Sequence, residues 1–165
     1  MTSQSRGSLY ELTARAIELF FTGPDLDPAK LTAALGLEPS AAAAPHRQKL
    51  RDLDGSTLEN DIGGMWCYST AAALPPGPAI DHLLYLVDQL RDRGPALAAL
   101  AAQFGRGHVS IQESWPPAQW NLVPVAFGDF RAQAEPYLAP LRLELDMVAA
   151  THYLENGPAD RESSG

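Results

Sequence analysis

Phe20-Phe21-Thr22-Gly23-Pro24-Asp25-Leu26-Asp27-Pro28, followed by Leu31 and then Leu35-Gly36-Leu37-Glu38-Pro39, is the most legible stretch of the chain. Upstream of it Ile17, Leu19 and Phe21 alternate with Ala16, Glu18 and Phe20. That period of two puts successive side chains on opposite faces of a strand, starting near residue 13 and ending at Thr22-Gly23-Pro24. Asp27 then offers a carboxylate to the free N–H groups of a helix start. Pro28 suits the first helical position, where its missing N–H costs nothing. Leu31, Ala34 and Leu35 make one apolar stripe, and Gly36 is placed to leave the helix in a left-handed conformation just ahead of Pro39. The spacing predicts a helix over 28–35. Gly23, Asp27, Pro28, Gly36 and Pro39 are thereby explained as structural punctuation that needs no ligand.

Working outward, Gly63-Gly64 bounds a strand over 65–70 that carries Trp66, Cys67 and Tyr68. Ile80, Leu83, Leu84, Val87 and Leu90 follow helical spacing. Gly94-Pro95 interrupts that pattern, which predicts one helix to about 92 and a second over 95–103. A short strand is read over 109–113, then a Pro/Trp-rich connection over 115–124. Asp129 is read as the cap of a helix over 130–139 that Pro136 shortens or kinks. Last, Leu143, Leu145, Met147 and Ala149 alternate with Arg142, Glu144 and Asp146, the pattern of a half-exposed strand. Residues 37–63 read as irregular, with a basic half (His46, Arg47, Lys49, Arg51) and an acidic half (Asp52, Asp54, Glu59, Asp61). A loop that long inside a domain is functional or mobile. The expected architecture is α+β in the order β-α-β-α-β-α-β: a four- to five-stranded mixed sheet with helices mainly on one face and the other face partly open. One domain spans 9–150, between flexible ends at 1–8 and 151–165.

Composition narrows the function classes. The 165 residues are 45% hydrophobic and 19% charged, a balance that supports a core without help from disulfides. Cys67 is the single cysteine, so neither an internal disulfide nor a Cys-rich zinc site is available. Net charge is −8 and the isoelectric point about 4.8, which argues against nucleic acids and anionic membranes as partners. No apolar run reaches the ~18 residues of a membrane span, and the polar start lacks a secretory signal, so a cytoplasmic location is expected. Ten arginines against two lysines, with abundant alanine, match the codon bias of a high-GC bacterium.

The 20–39 block resembles the opening of a bacterial domain-of-unknown-function family, the one numbered 4279. Its features are a strand, a glycine, a Leu-Asp-Pro helix start and a Leu-Gly-x-x-Pro exit. A tryptophan-bearing second strand, matched by Trp66, and an Asp in the final strand, matched by Leu145-Asp146-Met147, extend the likeness over about residues 14–149. The chain departs from the pattern in two places. Ser40 and alanines stand where the family commonly has Thr and Lys-Gly, and Val148 stands where an aromatic often follows the final Asp. The resemblance implies a fold and a post-helix loop of its own, and no chemistry.

Few residues are spaced for catalysis. Asp52, Asp54 and Glu59 around Gly55 suggest calcium, but the glycine is fourth from Asp52, where an EF-hand needs it sixth, so a solvated acidic turn is preferred. His46, His82, His108 and His152 fall in separate elements without metal-ligand spacing. Arg106 and His108 within Gly105-Arg106-Gly107-His108 would suit an anion, yet an ordinary helix exit accounts for the glycines better. Cys67 reads as a small buried residue rather than a nucleophile. Trp115 and Trp120, with Pro116 and Pro117 between them, are either interface anchors or indoles closing the core. The expectation is a non-enzymatic protein-binding module using Trp115, Trp120 and Asp146 toward a basic partner. A toxin-neutralising immunity protein is one form of it. The alternative is a small-ligand protein or enzyme with a pocket between the sheet and the 40–64 loop, lined by His46, Arg47, Asp61 and Trp66, with Asp146 also taking part. No cofactor or metal is expected for either. A purely structural or self-associating domain is a third possibility.

Overall fold

β2 (Ala16–Gly23) is the central strand of the sheet, and the helices collect on the face that Ile17, Leu19 and Phe21 present. The computed structural model describes residues 11–112 and 123–146, with the side chains of 123–125 left aside. Along the chain the other elements are β1 (Thr13–Ala14), α1 (Pro28–Leu35), β3 (Ala41–Ala43), β4 (His46–Arg51), β5 (Thr57–Ile62), β6 (Gly64–Ser69), β7 (Gly77–Pro78), α2 (Ala79–Gln89), α3 (Gly94–Phe104), β8 (His108–Gln112), α4 (Val123–Leu138) and β9 (Glu144–Leu145). Short 3-10 turns occupy Thr70–Ala72 and Ala139–Leu141. The architecture is α+β. A five-stranded mixed sheet runs β3-β6-β2-β8-β9, antiparallel except for the parallel β8–β9 pair.

The helix boundaries follow from local chemistry. Asp27 Oδ1 accepts the Ala29 N–H at 3.0 Å, and Gly36 at φ 65° closes α1 with its N–H on the Thr32 carbonyl. Leu31 and Leu35 drop from α1 into the core, α2 adds Leu83 and Leu86, and α3 adds Leu97 and Leu100. They meet Ile17, Leu19, Phe21, Trp66, Val109 and Ile111 from the sheet. The Trp66 ring packs edge-on against Phe21 at 6.2 Å, and its Nε1–H donates to Thr32 Oγ1 at 3.1 Å. One buried polar chain crosses this core. The Ile17 N–H donates to Thr70 Oγ1 (2.9 Å), the Thr70 hydroxyl to His82 Nδ1 (2.7 Å), and His82 Nε2–H to the Pro75 carbonyl (3.0 Å). The outer face carries Glu18, Phe20 and Ser110, each half-buried.

Three expectations are corrected. The 37–63 stretch is not irregular: β3, β4 and β5 lie in it, and β4 pairs antiparallel with β5 in the same register that pairs β3 with β6. A single β-ribbon therefore leaves the sheet and bends where Ala44-Pro45 faces Gly63-Gly64. The bend requires glycine. A Cβ on Gly63 would lie 2.8 Å from the Gly23 carbonyl oxygen, and one on Gly64 would collide with the Leu26 carbonyl oxygen. Second, α4 starts well before Asp129, which is an exposed interior residue rather than a cap. The buried stripe of Ala126, Phe127, Phe130, Ala134 and Leu138 carries the helix through Pro136. Third, the described part of the final strand is Glu144–Leu145, and Arg142 sits before it in a left-handed turn at φ 56°. The rest of that strand, and the expected flexible ends, lie outside the described residues.

Candidate functional site

The bent ribbon puts β4 and β5 beyond the sheet as an arm, and every residue from 44 to 63 is exposed. Strand alternation sorts its side chains by face. One face pairs Arg47 with Asp61, Lys49 with Glu59 and Arg51 with Thr57. Arg47 Nε reaches Asp61 Oδ1 at 3.0 Å, while Glu59 takes Lys49 at 3.7 Å and Arg47 at 3.8 Å. Pairs this open to solvent contribute only about 0–1 kcal/mol each. The other face pairs His46 with Ile62, Gln48 with Asn60 and Leu50 with Leu58, all without formal charge when the imidazole is neutral. Leu50, Leu58 and Ile62 are 41%, 53% and 37% exposed, and Leu53 at the tip is fully exposed.

The tip uses its own carboxylates. Asp52 Oδ1 accepts the Leu53 N–H at 2.7 Å, and Asp54 Oδ1 accepts both the N–H and the hydroxyl of Ser56. Those Ser56 hydrogen bonds hold the Asp54 carboxyl below its ordinary pKa. Gly55 takes φ 87°, which closes the turn. Among the described residues no group of three His, Cys, Asp or Glu side chains is close enough to hold a metal ion.

At the base of the arm lies a shallow, largely apolar hollow of about 500 Å³, walled by Pro24, Ala43, Ile62, Met65 and the ribbon glycines, with Thr22 and His46 as its polar side chains. His46 Nδ1–H donates to the Ala44 carbonyl at 3.0 Å. Of the four residues assigned to a pocket here, only His46 lines the hollow. Arg47 and Asp61 bind each other on the opposite face of the arm, and Trp66 is fully buried in the core. Asp146 is half-buried just past β9, at the far edge of the sheet from β3, and its N–H donates to the Val109 carbonyl at 2.8 Å. Trp115 and Trp120 lie outside the described residues.

Two further features bear on chemistry. Cys67 is buried on the outer sheet face, where desolvation first, and Glu18 second, push its thiol up to about 11. A nucleophilic cysteine needs the reverse shift. Gly105 ends α3 at φ 90°, and Gly107 packs so tightly that a Cβ would meet the Phe21 ring and Leu143, so both glycines are structural. Arg106 between them reaches Glu144 Oε1 at 3.3 Å, on the rim of a cavity that also takes Arg131 and Arg142. The sequence reading missed these last two because they stand far from Arg106 in the chain. No family model matches the chain, and neither the curated proteins nor the solved structures contain a significant match to it.

Proposed function

We propose that this chain is a non-enzymatic binding module that contacts a protein partner through the β4–β5 arm. The observation that carries the reading is the arm itself, a two-stranded ribbon with a sorted charged face, an uncharged face on which Leu50, Leu58 and Ile62 are exposed, and a bare leucine at its tip. A two-stranded hairpin on its own is marginally stable in water, and this one buries nothing against its own core. Exposed apolar side chains gathered on one projecting element mark an interaction surface. With a chain charge of −8, long-range steering favours a basic partner. An immunity-type inhibitor that covers a basic toxin is one form of such a module; a place in the bacterial family numbered 4279, which the 20–39 block resembles, is a separate part of the proposal that concerns the fold and implies no chemistry.

A small-ligand or catalytic role in the hollow has less behind it, since His46 stands there without Arg47, Asp61 or Trp66. The test compares capture from a host lysate by the wild-type chain and by a Leu50→Ser/Leu53→Ser/Leu58→Ser variant. The expected result is one stoichiometric basic protein held by the wild type, released by salt and lost by the variant at an unchanged melting temperature. Equal retention by both would move the contact surface off the arm.

A further inference from the structure

We infer that the open cavity lined by α4, the turn after it and β9 binds a small organic anion, a carboxylate or phosphate group carried on an apolar body. The cavity holds about 460 Å³, within the range of small-molecule sites. It stands away from the arm, and this inference does not depend on the binding-module reading.

Charge is the first argument. In a chain of net charge −8, three of the ten arginines (Arg106, Arg131 and Arg142) converge on this one cavity. Glu144, on the same wall, is engaged: it bonds Arg106 and lies 3.9 Å from His108 Nδ1. Arg131 and Arg142 have no acid within ion-pair distance among the described residues, and Glu135 is the one other carboxylate lining the space. Both arginines line the cavity, and a guanidinium fork is matched to the paired oxygens of a carboxylate or phosphate.

Backbone strain is the second argument. Arg142 is the one non-glycine residue with positive φ among the described residues, at φ 56° and ψ 36°. It ends the Ala139–Leu141 turn with its N–H on the Ala139 carbonyl at 3.0 Å. Glycine or asparagine is usual at such a position, and any other side chain there costs about 1–2 kcal/mol. The turn would form more easily without the arginine, so the side chain is held at some cost to the fold. The third argument is the apolar part of the lining. Leu138 and Leu143, both buried, line the same cavity as the arginines, which offers apolar contact to the body of a ligand whose head group meets the guanidinium groups.

The test titrates the full chain with phenyl phosphate, benzoate and the neutral analogue benzyl alcohol, read by calorimetry and by thermal shift at low salt. One saturable site for either anion is expected at millimolar affinity or tighter, with benzyl alcohol failing to bind; the preferred anion then identifies the head group. Losing one charge-assisted hydrogen-bonding group should weaken anion binding about tenfold or more in Arg142→Gly. That variant should melt at the same temperature or higher, because glycine takes the left-handed turn without strain. If Arg142→Gly unfolds, Arg131→Gln on the exposed side of α4 carries the same readout, and an equal loss there supports the site. No saturable anion binding up to about 10 mM, equal binding of benzyl alcohol, or undiminished binding by the folded variants would each overturn it.

Discussion

One β-ribbon with one register holds two different regimes. In its proximal half β6 buries Trp66 and Cys67 and pairs with β2, while β3 covers its other edge. In its distal half β4 and β5 keep the same pairing and bury nothing. Full burial of a large apolar side chain is worth about 1.5–3 kcal/mol, more than any of the exposed ion pairs on the arm. Register near the sheet is thus held by the core, since a one-residue slip would drive Trp66 to the wrong face. Register in the arm is inherited through the bend and maintained by cross-strand pairs. The distal half leaves its surface free of structural duty, which a contact surface needs.

The largest expected effect comes from breaking the proximal half. Trp66→Ala removes the indole from Phe21 and Thr32 and should cost about 3–5 kcal/mol in denaturant unfolding. A cost below about 1 kcal/mol would show that β6 is not anchored through this side chain. Next is the buried polar chain: Thr70→Val leaves the Ile17 N–H without its acceptor and should cost about 1–3 kcal/mol. The same variant frees His82 Nδ1, so His82→Leu in the Thr70→Val background should cost less than the two single losses added together.

How much of this was legible in the sequence depends on where the information resides. Helix α1 could be read to the residue because Asp27, Pro28 and Gly36 act within one turn of their own positions. Strand β2 could be read because Ile17, Leu19 and Phe21 alternate against partly polar neighbours. The arm could not. Its alternation sets charged against uncharged residues, so the apolar pattern that signals a strand is missing, and the two charge blocks are partners rather than separate halves. Trp66 was placed in a pocket because a strand's alternation does not say which face meets the helices. The arginine cavity was out of reach because it is assembled only when β9 lies parallel to β8.

A third prediction sharpens the comparison through pH. Burial, and then Tyr85, push the Tyr68 hydroxyl up to about 12, and Cys67 rises to about 11. Both groups hold protons in the folded chain that the unfolded chain releases earlier. Their contribution to stability is complete below about pH 9 and is lost as pH rises toward 11 and 12. Unfolding midpoints should therefore fall over that alkaline window, and less so in Cys67→Ala. A flat profile from pH 9 to 11 would mean that β6 is wetter around Cys67 and Tyr68 than its packing indicates. The smallest effect belongs to the arm, where Arg47→Ala removes two exposed ion pairs and should change stability by no more than about 1 kcal/mol. A cost several times larger would make the arm part of the folding unit.

The sorting of charge by strand has a consequence for how like molecules meet. Arg47, Lys49 and Arg51 all stand on β4, and Glu59 and Asp61 both stand on β5. Two copies that joined their arms two-fold along β5 would set carboxylates beside carboxylates, and along β4 they would set cations beside cations. Like charges directly across a strand pair are destabilising, so both two-fold pairings are opposed, and the β4-to-β5 pairing alone would match charge as it does within the arm. The arm thus refuses a symmetric twin and accepts an edge that carries the opposite run of charge.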